Sequence, residues 1–115
     1  MKFSELREQN VSRCLRWHPA GLNSWSLSDW AVAAAGEMGE TCDVIKKLNR
    51  VRDGLVGNKV DAATLQSQLA DEIADTVIYL DLLAAAAGFD LDWAIANKFN
   101  AVSERNAFPE RLYKE

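Results

Sequence analysis

The stretch WAVAAAGEMGETCDVIKKLNRV, Trp30–Val51, decides how the chain is read. A helix turns by about 100° per residue, so positions three or four apart share a face. On that spacing Trp30, Ala33, Glu37, Glu40, Val44, Leu48 and Val51 fall on one side, and two carboxylates sit inside an otherwise apolar stripe. A second stretch behaves alike. From Leu65 to Ala86, Glu72, Asp75, Tyr79, Leu83 and Ala86 share a side, and Leu65, Leu69, Ile73, Val77 and Leu80 form an apolar stripe beside it.

Working outward, the chain reads as four helices with almost no strand. The first covers roughly Phe3–Arg16, with Leu6, Val11, Cys14 and Leu15 as its stripe, and stops at Pro19, which cannot continue a helix. The second begins at Ser26 or Ser28 within a capping-box-like Ser26-Leu27-Ser28-Asp29 and runs to about Arg52, where basic residues suit the C-terminal dipole. Gly54 and Gly57 mark the connection. Asp61 caps the third helix, which ends before Gly88. Asp90 caps a fourth that continues to about Asn106, and a tail follows Pro109.

With 115 residues, residues 1–115 are read as a single all-α domain, and 49% apolar content argues against disorder. The net charge is −4 and no basic block appears, so a nucleic-acid backbone is not the expected partner. The polar N-terminus does not read as a signal peptide. The apolar run Thr76–Phe89 is interrupted by Asp81 and is too short to span a bilayer. Cys14 and Cys42 lie in separate helices and read as free packing thiols, which fits a reducing cytoplasm.

The two acidic pairs, Glu37-x-x-Glu40 and Glu72-x-x-Asp75, carry the chemistry. A single such pair is ordinarily a solvated helix face. Two pairs on adjacent antiparallel helices, both flanked by apolar residues, face one another and repel unless a cation neutralises them. The one histidine, His18, is on neither acidic helix, so the Glu-x-x-His motifs of di-iron bundles are missing and zinc lacks its preferred ligands. Four carboxylates suit Mg2+, with Mn2+ as the alternative, and such ions accept phosphate oxygens and water as further ligands.

Gly36-Glu37-Met38-Gly39-Glu40 followed by Asp71-Glu72-Ile73-Ala74-Asp75-Thr76-Val77-Ile78-Tyr79-Leu80 resembles the MazG-like all-α nucleoside triphosphate pyrophosphatases. Gly88-Phe89-Asp90-Leu91 and Asn97-Lys98-Phe99-Asn100 are similar to that family's link and closing helix. The likeness covers about Trp25–Arg105. It implies an antiparallel, bundle-like four-helix fold completed by oligomerisation into dimers or tetramers. It also implies Mg2+-dependent cleavage of a (deoxy)nucleoside triphosphate to the monophosphate and pyrophosphate, with a house-cleaning role on nucleotide pools. Glu37, Glu40, Glu72 and Asp75 match the family's metal ligands. Three departures stand out. Gly36 replaces the first of the family's double Glu, the gap between the motifs is longer, and Val102 stands where many relatives have Asn, with Asn100 as the substitute.

Around the acidic pairs, Lys47 is a candidate partner for a phosphate or a carboxylate, Lys98 is a candidate for contact with triphosphate, and Arg105 is a weaker one. Trp30 shares the acidic face, and stacking on a base, core packing and a subunit interface are all open readings. Trp17 and Trp25 flank the loop before the second helix, in the position of a lid over a base, with His18 in the same turn. Tyr79, one turn after Asp75, supports a ligand or touches a sugar. Trp93 reads as packing. The rival from another class is a non-catalytic helical module that binds nucleotides or a partner and keeps the acidic pairs.

Overall fold

Three of the four helices stop in the same way, and their stops set the chain's architecture. The structure, a computed structural model, describes residues 1–113; the last two residues of the expected tail lie outside the described residues. The helices are α1 (Phe3–Trp17), α2 (Leu27–Arg52), α3 (Ala62–Ala87) and α4 (Leu91–Arg105), with a short 3-10 turn at Gly21–Ser24. No strand occurs among the described residues, so the chain is all-α. None of the helices is long and apolar enough to cross a membrane.

At the end of α2, Gly54 adopts φ +68°, its N–H bonds to Val51 O (3.1 Å), and Leu55 N bonds to Arg50 O (2.9 Å). At the end of α3, Gly88 (φ +89°) repeats the pattern with Ala85 and Ala84. This paired closure satisfies carbonyls that the helix leaves without partners, and it needs a left-handed residue, for which glycine has no steric cost. α4 closes identically through Ala107 (φ +57°), with Ala107 N to Glu104 O (3.1 Å) and Phe108 N to Ser103 O (2.8 Å). Here a Cβ is carried in the left-handed region, a local strain. The start of α3 is capped as the sequence indicates, Thr64 N donating to Asp61 Oδ1 at 2.8 Å. The Thr64 hydroxyl and then its backbone N–H hold the Asp61 carboxyl below its ordinary range.

The chain packs as two compact units. One joins Met1–Leu27 to the chain from Asp81 onward. Its interior holds Asn10, Cys14, Leu82, Ala84, Ala96, Ser103 and, at 1% exposure, Asp81. That buried carboxylate is paired from both sides: Arg7 Nε donates to Oδ1 (3.0 Å) and Asn10 Nδ2 to Oδ2 (3.1 Å). Arg7 also reaches Phe89 O (2.9 Å) and Asp90 Oδ1 (3.3 Å). Asp90 occupies the N-cap position of α4, but its side chain makes no cap bond. The guanidinium takes it instead, in a bond whose donor and acceptor are both ionised. In the same unit the turn after α1 brings Gly21 (φ +60°) so close to Leu15 that a Cβ would lie 2.8 Å from Cδ2.

The other unit, Ser28–Leu80, is the α2–α3 pair. Its contacts advance along α3 as they retreat along α2. Lys47 and Arg50 share a cavity with Gln68, while Thr41 meets Thr76. The two helices are therefore antiparallel. On α2 the inward positions are Trp30, Ala34, Glu37, Thr41, Val44 and Leu48, and on α3 they are Leu65, Leu69, Glu72, Thr76 and Tyr79. Both follow alternating steps of four and three, the seam spacing of paired helices. The apolar stripe expected on α3 is corrected by this seam: Ile73 and Leu80 are exposed, and Glu72 takes the inward slot. Cys14 is buried and Cys42 exposed; both are free thiols, and only the first is a packing residue.

Candidate metal centre

Glu37 is the eleventh residue of α2 and Glu72 the eleventh of α3, each in an inward slot near the middle of a 26-residue helix. Antiparallel pairing brings them together. One carboxylate oxygen each from Glu37, Glu40 and Glu72 lies within 4.8 Å of the other two. Glu37 and Glu72 are half-buried, and Glu40 lies on the exposed side. Asp75 is exposed and outside this triad, but its charge acts on both Glu37 and Glu72.

Two oxygens in the cluster, Glu37 Oε2 and Glu72 Oε2, are shielded from solvent and have no hydrogen-bond partner. The threonine that follows each acidic pair does not serve them. Thr41 Oγ1 donates to Glu37 O (3.1 Å) and Thr76 Oγ1 to Glu72 O (2.9 Å), each bonding back one turn along its own helix. A hydroxyl has one proton, so both are spent on the backbone, and the two oxygens merely approach each other at 3.5 Å. Neither threonine therefore has a proton left for a carboxylate.

The electrostatic consequence is directional. Burial, followed by the neighbouring charges of Glu40 and Asp75, pushes the Glu37 carboxyl above its ordinary range. Burial and then Glu40 do the same to Glu72. Such oxygens favour either a proton or a cation. A hard divalent ion fits the donor set, because it takes oxygen ligands and would satisfy the orphaned atoms directly. These observations identify a place for a cation and do not select Mg2+ over its relatives.

Thr41 and Thr76 were not anticipated from the sequence, although their signal was present. Each acidic pair is followed at once by threonine, in Glu37-Met-Gly-Glu40-Thr41 and Glu72-Ile-Ala-Asp75-Thr76.

The remaining candidates fall in different places. Trp30 is 1% exposed and belongs to the interior, which takes it away from base stacking. Lys47 has a carboxylate partner on its own helix. Its Nζ pairs with Asp43 Oδ2 (3.2 Å), and Lys46 pairs with Asp43 Oδ1 (2.9 Å). Lys46 and then Lys47 hold the Asp43 carboxyl below its ordinary range. Tyr79 is half-buried in the α3 seam.

The candidates before α2 and on α4 belong to the other unit. Trp17 is 66% exposed, with the Arg13 guanidinium 5.1 Å from its ring centroid. His18 meets Trp25 edge-on, with centroids 4.6 Å apart. Lys98 is exposed on α4, as is Arg105. Asn100 is occupied by the chain itself: it donates to Leu112 O (2.8 Å) and accepts from Leu112 N (2.7 Å). Asn100 thus clamps the segment after α4 through both ends of its amide. Compared with protein-family models, with characterised proteins and with solved structures, the chain matches none of them.

Proposed function

We propose that the chain is a divalent-metal-dependent nucleoside triphosphate pyrophosphohydrolase of the MazG-like kind, acting as a homodimer or homotetramer in the cytoplasm. The observation that carries the reading is the convergence of Glu37, Glu40 and Glu72 within 4.8 Å, with two shielded oxygens that nothing in the chain satisfies. An anionic cluster of this kind is expensive to keep unless it serves a cation.

In this reading Glu37, Glu40 and Glu72 hold the ion, which supplies charge neutralisation and an acidified water when bound. Mg2+ is the expected ion and Mn2+ the substitute. Water adds to the α phosphorus, the bond to the bridging oxygen breaks, and pyrophosphate leaves with that oxygen. Asp75, the exposed fourth carboxylate of the two acidic pairs, would join the other three at the ion, and the proton released by the water passes to solvent. Glu37 and Glu72 are fixed by packing in the seam, so the cluster is organised before substrate arrives, and positioning is a large part of what such a site contributes. Gly36 removes one acidic group relative to the resembled family. A Cβ there would meet no atom within 4 Å, so space for an added side chain exists. Exposed Val32, Met38, Ile45, Ile73 and Leu80 on the same unit support association with further copies.

The reading is tested by incubating the protein with dNTPs, with and without Mg2+, and measuring pyrophosphate release. Metal-dependent release of pyrophosphate with stoichiometric monophosphate is expected. Release of orthophosphate alone, or no release from canonical and modified nucleotides, contradicts it.

A further inference from the structure

The α2–α3 unit contains a second place of unusual charge. Where α2 ends and α3 begins, a cavity of about 370 Å³ is lined by Lys47, Arg50, Asn58, Lys59 and Gln68. None of its lining residues is acidic, although the chain as a whole carries a net charge of −4. We infer that this cavity is a binding site for a phosphate-bearing anion, separate from the acidic cluster and independent of any metal.

The wall is built by the connection between the helices. Asn58 Nδ2 donates to Lys47 O (2.8 Å), and Arg50 Nη1 donates to Asn58 Oδ1 (3.3 Å). Both ends of the Asn58 amide are thus spent on α2, pinning the connection against the helix with Lys59 next in sequence. Gly57 (φ +119°) supplies the backbone conformation that lets the chain turn there.

The three cations differ in how well they are compensated. Lys47 shares Asp43 with Lys46. Arg50 bonds only to a neutral amide, and Lys59 has no ion pair among the described residues. The C-terminal dipole of α2 accounts for cations at Lys47 and Arg50. It does not account for Lys59, which lies in the connection, nor for all three lining one hollow together with Gln68.

An arginine with N–H groups to spare, beside the Lys59 ammonium and a Lys47 that shares its carboxylate with Lys46, matches the oxygens of phosphate better than those of a single carboxylate. The volume is in the range of pockets that take small organic ligands, so both pyrophosphate and a nucleoside monophosphate are admissible sources of that phosphate. Gln68 lies one turn before Glu72 on α3, an axial offset of about 6 Å. The cavity therefore adjoins the acidic cluster along the helix pair without sharing its residues.

The test is calorimetric titration of the chelator-treated, full-length protein with inorganic pyrophosphate and, separately, with a nucleoside monophosphate. Saturable one-to-one binding is expected, weakened by added salt and by about tenfold or more in Lys59→Glu. Lys59→Arg should retain it, and Glu72→Gln should not weaken it. Tighter binding of pyrophosphate identifies a free diphosphate site; tighter binding of the monophosphate identifies one that also holds the nucleoside. Lack of saturation by either probe, unchanged affinity in Lys59→Glu, or loss in Glu72→Gln overturns the inference. Because the titration excludes metal, its outcome is separate from that of the hydrolysis assay.

Discussion

Replacing Glu37 by glutamine should make the metal-free protein more stable and the metal-loaded protein unattainable. The carboxylate has one shielded oxygen without a partner and lies within 4.8 Å of two like groups. Two unit charges at that separation repel by about 3.5 kcal/mol at an effective dielectric of about 20, and by about 0.9 kcal/mol when fully screened by water. Glu37 is only half-buried, so the gain on neutralising it falls between those bounds, about 1–3 kcal/mol. Glutamine keeps the shape and adds an N–H that a neighbouring carboxylate can accept.

For a chain of this length 1 kcal/mol corresponds to roughly 4 °C in Tm, so the expected increase is about 4–12 °C at neutral pH. The pH dependence follows in sign. The folded-state pKa of Glu37 is raised, so the folded protein holds this proton more tightly than the unfolded one. Its contribution to stability is most favourable below the ordinary carboxylate range. It declines as pH rises through the raised pKa and stays at its lower value above it. The advantage of Glu37→Gln must therefore vanish under acid conditions. Thermal unfolding of the two proteins across pH, with chelator and with excess Mg2+, measures all of this. Wild type should gain Tm with Mg2+ and the variant should not. A variant less stable than wild type without metal, or equally stabilised by Mg2+, would refute the reasoning.

Two further predictions concern the unit built around Asp81. Arg7→Ala strands a carboxylate that is 1% exposed, leaving it only the Asn10 amide. Loss of one partner of a buried pair costs about 3–5 kcal/mol, measured as a fall in the denaturant midpoint at unchanged slope, and a loss below about 1 kcal/mol would show that the pair is not structural. Ala107→Gly removes the Cβ from a left-handed residue at φ +57° and should stabilise by about 0.5–1 kcal/mol after the greater freedom of glycine in the unfolded chain is counted. Destabilisation there would mean that the closure of α4 is not the source of strain.

The helices were legible because their punctuation is local. Pro19, Gly54, Asp61 and Gly88 each act within a turn of their own position, and each stands at a helix boundary. The end of α4 was also placed to within a residue, but its closure through a left-handed Ala107 was not foreseeable, because alanine does the work of glycine there without looking like one. The acidic pairs were legible as a repeated spacing on two helices. Which of the four carboxylates close on one another was not, because a small change in helix phase separates the inward Glu72 from the exposed Asp75. The seam residues Thr41 and Thr76 were missed because the sequence reading followed charge and apolarity, and threonine has neither.

Asp81 read only as an interruption in an apolar run, since its partner Arg7 lies far away in sequence. Trp30 shows the opposite limit: residue type suggested a contact with a base, and packing placed the ring in the interior.

The central claim is that the carboxylates of α2 and α3 form a catalytic metal site. It is tested most directly by pyrophosphate release from dNTPs as Mg2+ is titrated into metal-free protein, for wild type and for Glu72→Gln. The account predicts metal-dependent release from wild type and its loss in a Glu72→Gln protein that remains folded. Equal release by the two proteins, or no release from any nucleotide while wild type binds Mg2+, would contradict it.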